Sequence, residues 1–193
     1  MINKNKIAKT IRVVTVPPIM VLLLFLILFV FRRNIFNNVF DLILSILCFA
    51  VIPTVAYPLQ KLISKNQNTA REVQRNLAFV FSFSGYLFAV LYGFFTHISR
   101  ELSLIYHGYF ISVLILILSN TLLKIKASGH GCSITGTLIY LIYFMGYEFI
   151  LPCAILFFLV YWSSIKLKRH TFYELTSGCM IALISFLLSI NIS

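Results

Sequence analysis

Acidic residues are almost missing from this chain: five Asp and Glu stand against 16 Lys and Arg in 193 residues. With so few carboxylates, a di-metal carboxylate site is hard to assemble. Charge of either sign is scarce, at 11% of residues, while 60% are apolar. A soluble domain of this size could not hide that much apolar surface, so lipid must be the solvent. No P-loop, glycine-rich dinucleotide fingerprint or metalloprotease helix occurs. Cys48, Cys132, Cys153 and Cys179 lack paired metal-type spacing and fall in apolar stretches, where they read as small buried hydrophobes. Alternation of period two is absent, which argues against a β-barrel. No internal repeat, low-complexity segment or soluble linker domain stands out.

What is present is a succession of apolar runs, at 13–31, 38–57, 76–96, 102–123, 131–147, 149–165 and 175–192. Backbone groups in lipid must pair internally, so these runs predict helices. The expected architecture is all-α, a polytopic membrane bundle of six to seven transmembrane helices forming one domain over 1–193. The first run is too long for a typical signal peptide and reads as a retained helix. Pro17 and Pro18 kink that helix or mark its start, and Pro53 and Pro152 lie within spans where neighbours tolerate a kink.

Alternating passes sort the cations by side. Of the 16 basic residues only Arg32, Arg33 and Arg100 fall opposite the N-terminus. The positive-inside rule then puts the N-terminal side in the cytoplasm, as expected for an integral protein of the cell (inner) membrane. The net charge of +11 sits in short loops between spans. That favours anionic lipid headgroups and phosphate groups over nucleic acid.

Two polar loops on the basic side carry the chemistry. Lys124, Lys126, Ser128, Gly129 and His130 precede the span 131–147. Lys166, Lys168, Arg169, His170 and Glu174 follow the span 149–165. Out-and-back passage of these two spans returns both histidines to one face. His170 and Glu174, four apart, share a helical face on which a carboxylate reaches a ring nitrogen. The carboxylate fixes the tautomer and leaves the other nitrogen free to attack. The same pair also suits an ordinary interfacial helix end. His130 opens a helix after Ser128 and Gly129, where glycine permits close approach and free N–H groups attract an anion. It can protonate a leaving oxygen and later activate water, or simply start a helix. Lys124, Lys126, Arg169 and Arg75 are candidate phosphate ligands, although basic loop residues are also plain topology signals. Arg71 and Arg75, four apart, share a face above the same loops or a solvated one. His97 and His107 fall on the far side with Asp41, Glu101 and Glu148, three acids expected to be solvated.

In this order the residues resemble the type 2 phosphatidic acid phosphatase family, membrane relatives of the vanadium haloperoxidases. That family carries a Pro-Ser-Gly-His motif, matched by Ala127-Ser128-Gly129-His130 except at proline. Its Ser-Arg-x5-His-x3-Asp motif is met by Ser163, His170 and Glu174, with Ser164 at the arginine position and glutamate for aspartate. Gly178 fits the small residue often found four past the acid. The family's upstream Lys-x6-Arg-Pro motif is not found. The resemblance spans roughly 120–180 and reaches the earlier spans only by hydropathy. It implies a metal-independent hydrolysis of a membrane lipid phosphate or isoprenoid diphosphate. His170 would then be the nucleophile, Glu174 its orienting acid and His130 the proton donor. Ser128, Gly129 and Lys124 would hold phosphoryl oxygens. Ser164 and the absent upstream motif motivate another reading, an impaired relative that binds anionic lipid; a further one is a small membrane transporter whose polar loops gate a pathway. Near-absence of charge inside the spans weighs against the transporter.

Overall fold

The computed structural model describes residues 4–63 and 67–193, which hold helices and no strand. Eight helices organise them: α1 (Lys4–Val14), α2 (Pro17–Phe31), α3 (Val39–Ile63), α4 (Gln67–Thr96), α5 (Arg100–Thr121), α6 (Gly129–Met145), α7 (Ile150–Lys166) and α8 (Phe172–Ile192). Among the described residues five segments are long and apolar enough to cross a membrane, or six if the bent pair of α1 and α2 counts as one. The architecture is therefore an all-α bundle.

Two of the seven expected spans are short helices. The run 13–31 is broken, because Val13 and Val14 end α1 and a new helix starts at Pro17. Val16 is extended, as a residue before proline prefers, and α2 leaves α1 at 58°. Pro17 and Pro18 thus mark a start. They sit in a first turn, where no amide is missed. The other short helix, α6, has 17 residues and reaches about 25 Å at the usual rise. It is buried on most of its circumference and packs against α2, α5, α7 and α8. Such an internal helix is solvated by protein, so its glycines and serines carry no lipid-facing penalty.

The remaining prolines behave differently from each other. In α3 the turn before Pro53 widens to a π-helix over Leu47–Val51. That relieves the clash of the ring with the preceding carbonyls. Pro152 sits in the first turn of α7 and breaks no helical hydrogen bond, so no kink arises there.

The far side of the bundle is tied together by specific bonds. Arg32 Nε donates to the Phe144 carbonyl at 2.9 Å, at the end of α6. Arg100 Nε donates to the Ser193 carbonyl beyond α8 at 3.2 Å, and Ser99 Oγ donates to the Ile35 carbonyl. These cations stabilise the negative ends of helices. Asp41 differs from expectation: it is buried, accepting the Asn37 N–H at 3.0 Å and the Tyr92 hydroxyl at 2.9 Å. These two bonds replace the water it would otherwise keep. Glu101 and Glu148 are exposed, as expected. Because the far-side ends meet here, α6 and α7 form an out-and-back pair. The 122–128 and 167–171 loops emerge together at the opposite end.

Candidate active site

The first element of the site is the start of α6. Ser128 is buried and caps the helix, its Oγ accepting the Gly131 N–H at 3.1 Å. Its own N–H donates to the Glu174 carbonyl at 2.9 Å, so the cap is fastened directly to α8. The amides of Gly129 and His130 belong to the first turn and have no acceptor within the helix. A Cβ built on Gly129 would meet nothing within 4 Å. Open space therefore adjoins the positive end of α6.

Close packing of α6 on α8 sets the distance between the two loops. A Cβ on Gly178 would fall 2.3 Å from the Ser128 carbonyl oxygen and 2.9 Å from the Cys132 nitrogen. Only glycine allows that approach. It gives position 178 a physical reason to be small.

His130 lies in this first turn, buried, with 8% of its surface exposed. Its Nε2 has no hydrogen-bond partner among the described residues, and neither have the hydroxyls of Ser133 and Ser164. Ser133 shares the His130 face at three residues' spacing. Ser164 comes from α7, which packs beside α6. Buried polar groups usually find partners, and those that do not mark places where a polar ligand or water belongs.

The second histidine is delivered by the end of α7. Lys168 takes a left-handed backbone conformation with φ 51°, and Arg169 N–H donates back to the Ser164 carbonyl at 3.0 Å. This is a Schellman termination with lysine where glycine is usual. The chain then turns through His170 into α8, where Thr171 is the N-cap. Thr171 Oγ1 accepts the Glu174 N–H and Glu174 Oε2 accepts the Thr171 N–H, each at 3.2 Å. The same Oε2 faces His170 Nδ1 at 3.2 Å. An ionised carboxylate only accepts, so Nδ1 carries the proton and Nε2 is the nitrogen left for chemistry. Glu174 thus serves both as histidine partner and as part of the helix cap.

His130 lies within electrostatic reach of His170, and Arg12 of both. Burial holds the His170 pKa below its ordinary value. The Glu174 hydrogen bond and charge oppose this, while the Arg12 and Arg169 charges reinforce it. His170 is therefore neutral at pH 7.

The structure brings together His130, His170, Glu174, Ser128, Gly129 and Arg169. It does not bring in the other expected phosphate ligands. Lys124 and Lys126 are exposed in the loop after α5, Lys124 with φ 54°, and Arg75 is exposed on α4. The side chain of Arg71 lies outside the described residues. Arg12 was missed. Its signal was legible: it lies four residues beyond Ala8, the one fully buried residue of α1, and so shares its face. The capping box Thr171-x-x-Glu174 was also readable and overlooked. Among the described residues no three His, Cys, Asp or Glu side chains are arranged to hold a metal ion. Comparison with protein families, curated proteins and solved structures gives no match for the chain.

Proposed function

We propose that the protein is a membrane phosphatase acting on a lipid phosphate or isoprenoid diphosphate through a phosphohistidine intermediate. The observation that carries this reading is the pair of histidines within electrostatic reach at one end of the bundle, one with Nδ1 on a carboxylate and the other buried with an unpartnered Nε2. The resemblance to type 2 phosphatidic acid phosphatases supports the same assignment of roles.

In the first step His170 Nε2 attacks phosphorus as the P–O bond to the leaving group breaks. His130 gives its Nε2 proton to the departing oxygen. Glu174 stabilises the positive charge that develops on the His170 ring. In the second step His130 takes a proton from water, the water oxygen bonds phosphorus, and the P–N bond breaks. Inorganic phosphate leaves and both rings return to their starting state. The amides at the start of α6 favour the charge on the phosphoryl oxygens throughout. The site faces the cytoplasm of the cell (inner) membrane in this reading, because the basic loops lie on its side.

The test is phosphate release by purified protein from phosphatidate, phosphatidylglycerophosphate and polyprenyl diphosphate. Release from at least one, abolished in His170→Ala, is expected. One observation favours a second reading, in which the protein binds anionic lipid without turnover: Ser164, where the family has arginine, is a neutral buried hydroxyl. Binding of phosphatidate vesicles with no phosphate release from any of the three lipids would select it.

A further inference from the structure

We propose that Arg12 of α1 is the cation that grips the phosphoryl group between His130 and His170, so that the N-terminal amphipathic helix is part of the substrate site. The inference rests on the phosphatase reading and names the binding residue that the sequence motifs leave open.

A phosphoryl group held between the two imidazoles needs a fixed positive charge, because its transition state spreads negative charge over three equatorial oxygens. Arginine suits this task, with a planar fork that meets two oxygens at once. The cations first expected to serve are exposed: Lys124, Lys126 and Arg75 by position, and Arg169 although it acts on His170. Arg12 is placed otherwise. Its helix packs against α7, the helix that carries Ser164 and leads to His170. Ala8 is fully buried in that contact, and Arg12, one turn later, faces the same way. A guanidinium nitrogen of Arg12 is buried. Its charge bears on His130 from α6, on His170 from the α7–α8 turn and on Tyr57 from α3. The residue thus stands where three parts of the bundle meet above the histidines. Ser164 then needs no charge of its own, since the neighbouring helix supplies it.

The break at Val16 makes this possible. α1 leaves α2 at 58° and packs against α7. The exposed Lys4 and Lys6 at its start suit anionic headgroups, so α1 meets the membrane surface and the site at once.

The experiment compares purified wild type with Arg12→Gln, Arg12→Lys and Lys9→Gln, the last an exposed cation of the same helix. Inorganic phosphate is titrated while the histidine ring signals are followed by NMR, and hydrolysis of short-chain phosphatidate is measured in parallel. Arg12→Gln is expected to weaken phosphate binding and raise KM at least about tenfold, with Arg12→Lys intermediate and Lys9→Gln unchanged. Without ligand, His170 should titrate at higher pH in Arg12→Gln, because a repelling charge is gone. Wild-type affinity and turnover in Arg12→Gln would overturn the proposal and leave the phosphatase reading intact. Weakened binding with an unmoved His170 titration would assign Arg12 to the seating of α1 and overturn it too. A wild type that neither binds phosphate nor hydrolyses phosphatidate would remove the phosphatase reading, and this inference with it.

Discussion

Opposing influences act on the His170 ring. Burial and two positive charges keep it neutral, while Glu174 fixes its tautomer. The acid limb of kcat/KM should therefore lie below the ordinary histidine value of about 6.5, since only the neutral ring attacks. Glu174→Gln removes the one charge that favours protonation, so this limb should move further toward acid. Its turnover should fall less than that of His170→Ala, because an amide still orients the ring. Rate profiles from pH 4 to 9 read both effects, and a limb moving upward would contradict the assigned balance. His130→Ala separates leaving groups. A loss of roughly a hundredfold or more is expected for phosphatidate, whose alkoxide needs a proton. A much smaller loss is expected for an aryl phosphate or a diphosphate, whose leaving groups depart without help. Equal losses on both would remove the proton-donor role.

At the scale of helices, two glycines near the site should behave in opposite ways. Gly178 lets α8 cross the start of α6 in backbone contact, and any side chain there collides with the Ser128 carbonyl. Gly178→Leu should destabilise the bundle by about 1–3 kcal/mol or more, as overpacking does, and should displace both histidine loops. Gly129 has open space beside it. Gly129→Ala should leave thermal unfolding unchanged yet raise KM, because the added methyl takes the room left for a phosphoryl oxygen. Unfolding curves and kinetics of the pair decide it, and an unstable Gly129→Ala would show that the space is not open. Thr171→Ala tests the double duty of Glu174. Loss of the cap should cost about 1 kcal/mol of stability. Activity should survive, since the Glu174 carboxylate still reaches His170.

For the whole molecule, the ties among Arg32, Phe144, Ser99, Ile35, Arg100 and Ser193 gather one set of helix ends and leave the histidine loops at the other. Single cysteines at Lys61 and Glu101, both exposed and on opposite ends, should label from opposite sides of the membrane. Lys61→Cys is expected to react only after the cell is permeabilised. The four native thiols are buried and free, so background labelling should be low. Labelling of Lys61→Cys in intact cells would place the histidines on the outer face.

The helical character of the chain and its lipid solvent could be read from composition alone, because unpaired backbone in hydrocarbon leaves no other choice. That the loops of His130 and His170 lie at one end of the bundle was also legible, since two spans between them return the chain to one face. So was the reach of Glu174, which spacing along one helix sets. Long-range contacts decided the rest. Neither the seat of α1 nor the access of Arg12 to both rings follows from local periodicity. Each depends on the angle at Val16 and on which neighbour Ala8 finds. The retreat of Lys124, Lys126 and Arg75 into solvent likewise has no local signal. A flexible cation beside a span serves topology and phosphate binding with the same sequence. Asp41 gave the same lesson at the far end, for its burial required Tyr92 from another helix to supply a hydrogen bond. Sequence spacing fixes which residues share a face of one helix, whereas the packing of helices against each other decides which cation comes within electrostatic reach of the histidines.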